Sequence, residues 1–432
     1  MERLAMADLV RWKNKKRRKP LIIHGARQVG KTWLMKEFGK QYFDKVIYIS
    51  FDHNEHMRNV FSLDFDMERI ISALRIEAGE VFQAEGTLLI FDEIQEIPAA
   101  LTSLKYFCEN VPQYYIVAAG SLLGMALHEG TSFPVGKVEF LNLYPMNFRE
   151  FLMAAGKEDL SRILEEGDYA LMNAYAGVYT EWLRKYYYVG GMPEAVQCYF
   201  DTDDTAEVRE IQKQLLLYYE NDFSKHAPKE LIPRIQMVWN SILTQLAKEN
   251  RKFIYGIVRE GARARDFEIA IQWLSDYGLI LRSYRVKKPG IPLNAYMEQS
   301  SFKMFMLDVG LLAAKGNLSA KALLEGTAIF EEFKGSLTEQ YVAQELAGRG
   351  IALYYYSTEN SSGEIDFVVQ ASKDCIPVEV KAEENLRAKS LRAYCAKYKP
   401  AIAVRTSMSD YREQDWMINV PLYVVGDYLE KQ

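Results

Sequence analysis

The chain has 432 residues, of which 49% are hydrophobic and 26% are charged, and its formal net charge is −5. This composition excludes a disordered or fibrous chain, and the length predicts two to four domains of about 100–200 residues each. Because the net charge is slightly negative, the overall field does not attract nucleic acid, and any contact with it requires a local basic patch.

Cysteine usage and hydropathy indicate the compartment. The four cysteines are widely spaced and form no Cys-x-x-Cys pair; they are Cys108, Cys198, Cys375 and Cys395. This spacing indicates neither a disulfide framework nor a zinc site. The sequence also lacks a signal-peptide core near its start and an apolar run long enough to cross a bilayer, so we expect a cytoplasmic protein without a membrane partner.

A glycine-rich stretch between a predicted strand and a predicted helix has the spacing of a P-loop. Its glycines let backbone N–H groups approach phosphate oxygens, and the following helix directs the positive end of its dipole to the same anion. The residues expected to bind the nucleotide are Gly25, Ala26, Arg27, Gln28, Val29, Gly30, Lys31 and Thr32. Lys31 is expected to contact the β- and γ-phosphates, and Thr32 to ligate Mg²⁺.

A second motif further along the chain has the pattern of a Walker B strand. Residues 88–91 are apolar and are followed by Asp92 and Glu93. We expect Asp92 to bind Mg²⁺ and Glu93 to act as the catalytic base toward the attacking water. Taken alone, the glycine-rich stretch also fits an ordinary turn, and Asp92 also fits a residue that caps the next turn. The order and spacing of the two motifs favour one site for ATP and Mg²⁺.

The next predicted strand ends beside a polar tip. Residues 114–119 precede Gly120 and Ser121, and we interpret Ser121 as a sensor of the γ-phosphate or the water. The predicted strands are continuous apolar runs that alternate with helices. This pattern predicts a parallel sheet that is covered on both faces.

Two further segments are suited to contact with nucleic acid. A basic run at residues 13–19 precedes the first strand, although a solvated turn has the same composition. Residues 241–290 read as three helices and a β-hairpin, the order of a winged helix that can place its third helix in a DNA major groove. Arg259, Arg263 and Arg265 lie near the start of that helix. Winged helices also serve as protein-interaction modules or spacers.

The last hundred residues carry a second set of charged side chains. Asp366 begins a predicted strand, and period-two alternation puts Glu379 and Lys381 on one face of the neighbouring strand. Two carboxylates and a lysine are typical of metal-assisted phosphodiester hydrolysis. Asp366 and Glu379 are then Mg²⁺ ligands, Glu339 is a further ligand, and Lys381 orients or deprotonates the water. An amphipathic hairpin without chemistry produces the same loose pattern.

In these motifs the chain resembles a family of prokaryotic AAA-type P-loop ATPases that carry a C-terminal domain of restriction-endonuclease-like fold. The strings that carry the resemblance lie at residues 25–32, 91–95, 120–121, 143–145, 190–194, 307–312, 363–367 and 378–381. The resemblance covers essentially the whole chain and implies ATP binding and hydrolysis. It also implies the fold class, an α/β P-loop NTPase with an AAA-like parallel sheet, a helical lid, a winged-helix-like middle segment and a C-terminal α/β restriction-endonuclease-like domain.

Two positions depart from the family pattern. Family members usually have Gly-Arg where this chain has Gly136 and Lys137, and often have a second arginine where Gln28 stands. Lysine lacks the planar fork of arginine, which weakens the case for phosphate sensing at residue 137.

We therefore predict four domains: an ATPase core at 1–142, a helical lid at 143–232, a winged-helix-like segment at 233–320 and a restriction-endonuclease-like domain at 321–432. The predicted function is Mg²⁺-dependent ATP hydrolysis coupled to a nuclease-like domain that binds or cleaves DNA. The alternative is a nucleotide-switched scaffold that binds a protein partner through a catalytically inactive nuclease-like fold. A homo-oligomer also stays open, because AAA-type sites often borrow an arginine from a neighbouring subunit; Arg149, Arg184 and Arg234 are the candidates.

Overall fold

The computed structural model describes residues 1–120, 134–248, 251–325, 331–358, 363–382 and 388–432. These residues fall into two compact units. The N-terminal unit contains Glu2–Tyr144 and Asp276–Gly278, and the C-terminal unit contains Met1, Pro145–Ser275 and Leu279–Gln432.

The N-terminal unit is built on a five-stranded sheet in the order β2-β3-β4-β1-β5, and every neighbouring pair is parallel. Its strands are β1 (Leu21–His24), β2 (Lys45–Ser50), β3 (Thr87–Asp92), β4 (Tyr115–Ala119) and β5 (Glu139–Asn142). Its helices are α1 (Ala5–Lys13), α2 (Lys31–Tyr42), α3 (Glu55–Leu63), α4 (Met67–Ala78) and α5 (Pro98–Asn110). The prediction of a parallel sheet is confirmed.

Aromatic side chains fill part of the core of this unit. The ring of Phe51 lies 5.4 Å from that of Phe91 and 5.8 Å from that of Phe61, and the rings of Phe91 and Phe107 are 5.9 Å apart. All four side chains are buried, and burial of each such side chain stabilises the fold by about 1.5–3 kcal/mol. Since β1 and β3 are parallel, the residues that follow them lie at the same edge of the sheet.

The C-terminal unit begins with helices and continues with two mixed sheets. Its helices are α6 (Phe148–Ala154), α7 (Glu158–Glu166), α8 (Tyr169–Ala174), α9 (Ala176–Val189), α10 (Pro193–Thr202), α11 (Thr205–His226), α12 (Ile232–Leu246), α13 (Tyr255–Val258), α14 (Ala264–Asp276), α15 (Val309–Lys315), α16 (Ala320–Glu325), α17 (Glu331–Gly348), α18 (Lys389–Tyr398) and α19 (Val425–Glu430). Its strands are β6 (Ile280–Val286), β7 (Met297–Met306), β8 (Tyr354–Ser357), β9 (Glu364–Ile365), β10 (Phe367–Gln370), β11 (Cys375–Val380), β12 (Val404–Ser407), β13 (Arg412–Gln414) and β14 (Met417–Pro421).

The first mixed sheet has four strands in the order β7-β6-β8-β9, and the second has five in the order β10-β11-β12-β14-β13. Strand β6 pairs antiparallel with β7 and parallel with β8. The helices α12, α13 and α14 precede the β6–β7 hairpin, which is the order of elements expected for the winged-helix-like segment. The hairpin is continuous with β8 and β9, however, so the predicted boundary at residue 320 lies between strands of one sheet. The winged-helix and restriction-endonuclease-like assignments stay predictions.

Across the described ranges, no helix is long and apolar enough to cross a membrane.

Candidate active site

The P-loop is held in shape by backbone conformations that favour glycine. Gly25 has a φ of +158°, and a Cβ at this position would lie 2.2 Å from the carbonyl oxygen of Leu143. Gly30 has a φ of 94° and directly precedes helix α2, and Gln28 is also left-handed with a φ of 64°. Alternation of left-handed residues turns successive backbone N–H groups toward one side, which makes an anion-binding concavity.

Lys31 is the first residue of α2, and its side chain is buried against the loop. Its Nζ donates hydrogen bonds of 2.8 Å to the carbonyl oxygens of Gly25 and Ala26. Burial lowers the pKa of Lys31 to about 8, although the charges of Glu93 and Asp92 oppose the shift. Backbone carbonyl groups of the P-loop therefore hold the Lys31 ammonium over the loop.

The two nucleotide motifs meet at the carboxylate of Asp92. The Thr32 hydroxyl donates a 2.7 Å hydrogen bond to Asp92 Oδ2, and the Tyr48 hydroxyl donates a 3.0 Å bond to the same oxygen. The backbone N–H of Glu93 donates to Asp92 Oδ1 at 3.1 Å. Hydroxyl and carboxylate oxygens are the ligands that Mg²⁺ prefers. The residues at this position therefore fit the cation that the sequence predicts, and Tyr48 is a contact that the sequence reasoning missed.

The carboxylate of Glu93 is held by a side chain two residues away. Glu93 is left-handed with a φ of 50°, and its Oε2 accepts a 2.7 Å hydrogen bond from Gln95 Nε2. The Oε1 atom of Gln95 is buried and has no hydrogen-bond partner within the described residues. The motif at residues 91–95 contains Gln95, but the sequence analysis predicts no role for it. The signal in the sequence is an amide side chain two residues after the acid pair Asp92 and Glu93.

Ser121 lies outside the described residues. Strand β4, which precedes it, lies between β1 and β3 and ends at Ala119. Lys137, the departure from the family pattern, forms a 2.7 Å ion pair with Glu109 near the end of α5 and is half-exposed. Its ammonium is thus engaged by a neighbouring carboxylate on the surface of the N-terminal unit.

Cations of the basic run contact residues of the same unit. The guanidinium of Arg18 lies 3.5 Å from the ring centre of Tyr115. The ammonium of Lys15 pairs with Glu139, and that of Lys13 lies 4.4 Å from the ring centre of Phe43. These contacts favour the structural interpretation of residues 13–19, and a contact with nucleic acid stays a prediction.

The acidic residues predicted near the C-terminus do lie together. Strands β10 and β11 are antiparallel with Phe367 opposite Val378, so that Asp366 and Glu379 stand side by side just beyond that pair. Asp366 Oδ2 accepts a 2.8 Å hydrogen bond from the backbone N–H of Val380. Lys381 Nζ lies 2.7 Å from Glu379 Oε1. We call Glu339, Glu364, Asp366 and Glu379 the carboxylate cluster.

Two cations that the sequence reasoning missed also face the cluster. Lys303 of β7 is completely buried, and its Nζ lies 2.6 Å from Glu364, 3.4 Å from Glu339 and 3.8 Å from Asp366. Arg251 forms an ion pair with Glu339. Burial alone would lower the pKa of Lys303, but Glu339, Glu364 and Asp366 outweigh it and raise that pKa.

The carboxylate cluster, with Lys303 among its acids, does not fit a divalent cation. Within the described ranges, no three His, Cys, Asp or Glu side chains are placed to hold a metal ion together. Burial and the charge of Glu339 raise the pKa of Asp366 well above its ordinary value, as crowding of carboxylates without a bound metal ion does. The assignment of Asp366, Glu379 and Glu339 to a metal, and of Lys381 to catalysis, therefore gains no support from this geometry.

Two sequence strings without a predicted role, at residues 190–194 and 307–312, meet in one buried contact. Asp308 accepts hydrogen bonds from the backbone N–H of Gly191 at 2.6 Å and of Leu311 at 2.9 Å, and from Gln344 Nε2 at 3.2 Å. A Cβ on Gly191 would lie 2.0 Å from the Met146 carbonyl oxygen. The strings at 190–194 and 307–312 are thus explained by packing within the C-terminal unit.

One of the three candidate arginines is also engaged. Arg149 is buried and pairs with Glu165 at 2.7 Å and with Asp427 at 3.2 Å. Arg184 and Arg234 are exposed. A contribution of any of the three to a neighbouring subunit stays a prediction.

Comparison with known proteins agrees with the N-terminal geometry. Residues 17–152 match a family described as an AAA domain, and residues 180–322 and 334–424 match two families described as domains of unknown function. No curated protein matches the chain. Together with the site geometry, the first match supports a P-loop NTPase fold for residues 17–152.

Solved structures give distant similarities. A Walker-type ATPase of Pyrococcus abyssi is 14% identical, with 73% of this chain and 95% of that chain covered and a TM-score of 0.44. The Orc1 protein of Aeropyrum pernix, solved in complex with DNA, is 10% identical, with 74% and 93% covered and a TM-score of 0.27. Cdc6p of Pyrobaculum aerophilum is 12% identical, with 74% and 93% covered and a TM-score of 0.24.

Proposed function

We propose that the chain binds ATP together with Mg²⁺ and hydrolyses it at the P-loop. The observation that carries this proposal is the 2.7 Å hydrogen bond between Thr32 Oγ1 and Asp92 Oδ2. It joins the residue that follows the P-loop lysine to the acid at the end of β3, and so supports a shared role of these two side chains as metal ligands. A glycine-rich turn without nucleotide chemistry would have no need of this contact.

The chain's own residues supply most of the proposed chemistry. Backbone N–H groups of the P-loop bind the phosphates, and the Lys31 ammonium moves from the carbonyl oxygens of Gly25 and Ala26 to the β- and γ-phosphates. Thr32 and Asp92 hold Mg²⁺, which neutralises phosphate charge when it is bound. Glu93 orients the attacking water and accepts its proton.

The test compares Lys31→Ala and Glu93→Gln with the unaltered chain. We expect Lys31→Ala to lose ATP binding and Glu93→Gln to bind ATP without releasing phosphate. Lys40→Ala removes an exposed lysine from the same helix and should behave like the unaltered chain. Equal rates of phosphate release by Glu93→Gln and the unaltered chain would remove Glu93 from the mechanism, and no release by the unaltered chain would reduce the proposal to nucleotide binding.

For the C-terminal unit we propose the scaffold function, in which the nucleotide state changes the binding of a protein partner and the nuclease-like fold is catalytically inactive. The supporting observation is that Lys303 and Arg251 already pair with the carboxylate cluster. Binding or cleavage of DNA is the competing function, and the contact of Lys381 with Glu379 beside Asp366 is the observation that favours it.

Plasmid cleavage separates these two functions. Supercoiled plasmid is incubated with the chain, ATP and Mg²⁺ or Mn²⁺, and Asp366→Ala and Lys381→Ala are assayed in parallel. We expect no nicking by the unaltered chain while ATP is still hydrolysed. Nicking that disappears in both variants would establish a nuclease and overturn the scaffold proposal. DNA binding is followed by titration with salt, because several phosphate contacts would weaken steeply as salt rises.

A further inference from the structure

Lys303 lies among the acids of the carboxylate cluster. Its side chain is completely buried, and its ammonium contacts carboxylates contributed by α17, by β9 and by the residue before β10. A buried ammonium is stable only when it is paired and hydrogen-bonded. The three carboxylates have the same requirement, so Lys303 and the cluster stabilise each other.

Arg251 provides the second cation. Its guanidinium pairs with Glu339 and donates from Nε to the Ser336 hydroxyl at 3.3 Å. A Cβ on Gly335 would lie 2.9 Å from Arg251 Nη2, so the absence of a side chain at that position makes room for the guanidinium. Helix α17 therefore presents a fitted surface to Arg251, and the contact is not a chance surface pair.

We propose that the Lys303 ammonium, assisted by Arg251, permanently holds the position that a divalent cation would take, and that the carboxylate cluster is an ion-paired core and not a metal centre. Carboxylates bind Mg²⁺ or Mn²⁺ at distances of about 2.0–2.2 Å, and no such ion can enter a position where an ammonium already contacts three of them. This inference is compatible with the proposed scaffold function, and it makes a separate claim about metal binding.

The backbone of Lys303 is fixed within a sheet. Lys303 pairs in register with Ser283 of β6, and β6 is itself bonded on its other edge to β8. The ammonium at the end of its side chain is held by burial and by its contacts with Glu339, Glu364 and Asp366. A paired side chain on a sheet strand is a fixed part of the fold, unlike one on a loop that could uncover the acids when a partner or nucleotide binds.

Removal of the ammonium should create the metal site that the unaltered chain lacks. The side chains of Glu339, Glu364 and Asp366 would then surround a pocket that no longer contains the positive charge of Lys303. Glu379 Oε2, which is buried and has no hydrogen-bond partner within the described residues, lies in the same cluster. Lys303→Ser removes the charge and leaves space for a hydrated cation.

The experiment measures Mn²⁺ binding by electron paramagnetic resonance in the full chain without nucleotide. All samples carry Asp92→Asn, so that the P-loop site does not contribute a metal. We expect no Mn²⁺ site in this background and one site per chain after addition of Lys303→Ser. Lys315→Ser is the matched control, because Lys315 is also largely buried but pairs with Glu220, away from the cluster; it should create no site.

Two results would overturn the inference. One is a Mn²⁺ site in the Asp92→Asn background that disappears when Asp366→Asn is added. The other is a folded Lys303→Ser chain that still binds no Mn²⁺. If Lys303→Ser does not fold, the Asp92→Asn chain decides by itself. The absence of bound Mn²⁺ supports the inference that Lys303 occupies the cation position, and a Mn²⁺ site that depends on Asp366 refutes it. Because the readout is metal binding, failure of the scaffold proposal in the plasmid assay remains a separate result.

Discussion

Gln95 donates a 2.7 Å hydrogen bond from Nε2 to Oε2 of Glu93, the candidate catalytic base. We predict that Gln95→Leu lowers kcat for ATP hydrolysis about tenfold and leaves ATP affinity nearly unchanged, because the carboxylate is no longer aimed at the water. The measurements are steady-state phosphate release and ATP binding at equilibrium.

A matched control for this prediction lies on α2, where Gln41 Nε2 donates a bond of the same length to Glu37 on the surface. Gln41→Leu should leave kcat unchanged. If Gln95→Leu hydrolyses ATP at the normal rate, the contact has no role in positioning Glu93.

Tyr48 shares Asp92 Oδ2 with Thr32, and its hydroxyl lies 3.0 Å from that oxygen. We predict that Tyr48→Phe raises the Mg²⁺ concentration needed for half-maximal ATP binding about two- to tenfold, which corresponds to the net contribution of one hydrogen bond, about 0.5–1.5 kcal/mol. The measurement is a Mg²⁺ titration at fixed ATP. Tyr42→Phe, which removes a hydroxyl from α2, serves as the control, and identical titrations of Tyr48→Phe and the unaltered chain would exclude the role.

Burial lowers the pKa of Lys31 to about 8 in the free chain. Above this pH the amine loses its proton, whereas bound phosphates would restore it, so we predict that ATP affinity falls by up to about tenfold per pH unit above about pH 8. Calorimetry at pH 9 in buffers of different ionisation enthalpy should reveal proton uptake on binding. Equal enthalpies in those buffers would contradict the prediction.

The same pKa fixes the sign for stability. Between about pH 8 and the ordinary lysine value of 10.5 the unfolded chain binds more protons at Lys31 than the folded chain does. Because of Lys31, the free energy of unfolding therefore rises with pH through this window, and the folded chain becomes more stable. Lys31→Met should abolish this part of the pH dependence of unfolding.

Asp308 caps helix α15 and is completely buried, where it accepts hydrogen bonds from Gly191, Leu311 and Gln344. We predict that Asp308→Ala lowers the free energy of unfolding by about 3–5 kcal/mol, because several buried donors lose their acceptor. Asp204 also caps a helix, α11, but is exposed. Asp204→Ala should cost only about 1 kcal/mol. Similar losses in denaturant unfolding of the two variants would show that the buried contact adds nothing to an ordinary cap.

The nucleotide motifs could be predicted from sequence because their residues are close together in the chain and their spacing is fixed by the ligand. The parallel sheet followed from apolar runs that alternate with helices, and the structure confirms it. The contacts of Lys303 with Glu339 and of Arg251 with Glu339 join residues 36 and 88 positions apart, and no local pattern encodes such pairs. The signal that was available is Lys303 itself, a charge that interrupts the apolar second half of β7 at residues 302–306.

The meaning of the string at 190–194 was equally hidden. A Gly-Gly pair predicts a turn, but only the folded chain brings the carbonyl oxygen of Met146 and the carboxylate of Asp308 against it. Conversely, the acids at residues 366 and 379 were correctly expected to be neighbours from strand alternation alone. What alternation could not provide was the identity of the cation that faces them.

The four-stranded sheet of the C-terminal unit determines which fragments of the chain can fold. A fragment that starts at residue 321 would keep β8 and β9 and lose β6 and β7, which leaves an unpaired strand edge along β8. It would also lose Lys303 and Arg251, so buried acids would remain without counterions. Such a fragment should aggregate during expression. The nuclease-like portion should be soluble only when β6 and β7, which precede it in the chain, are present.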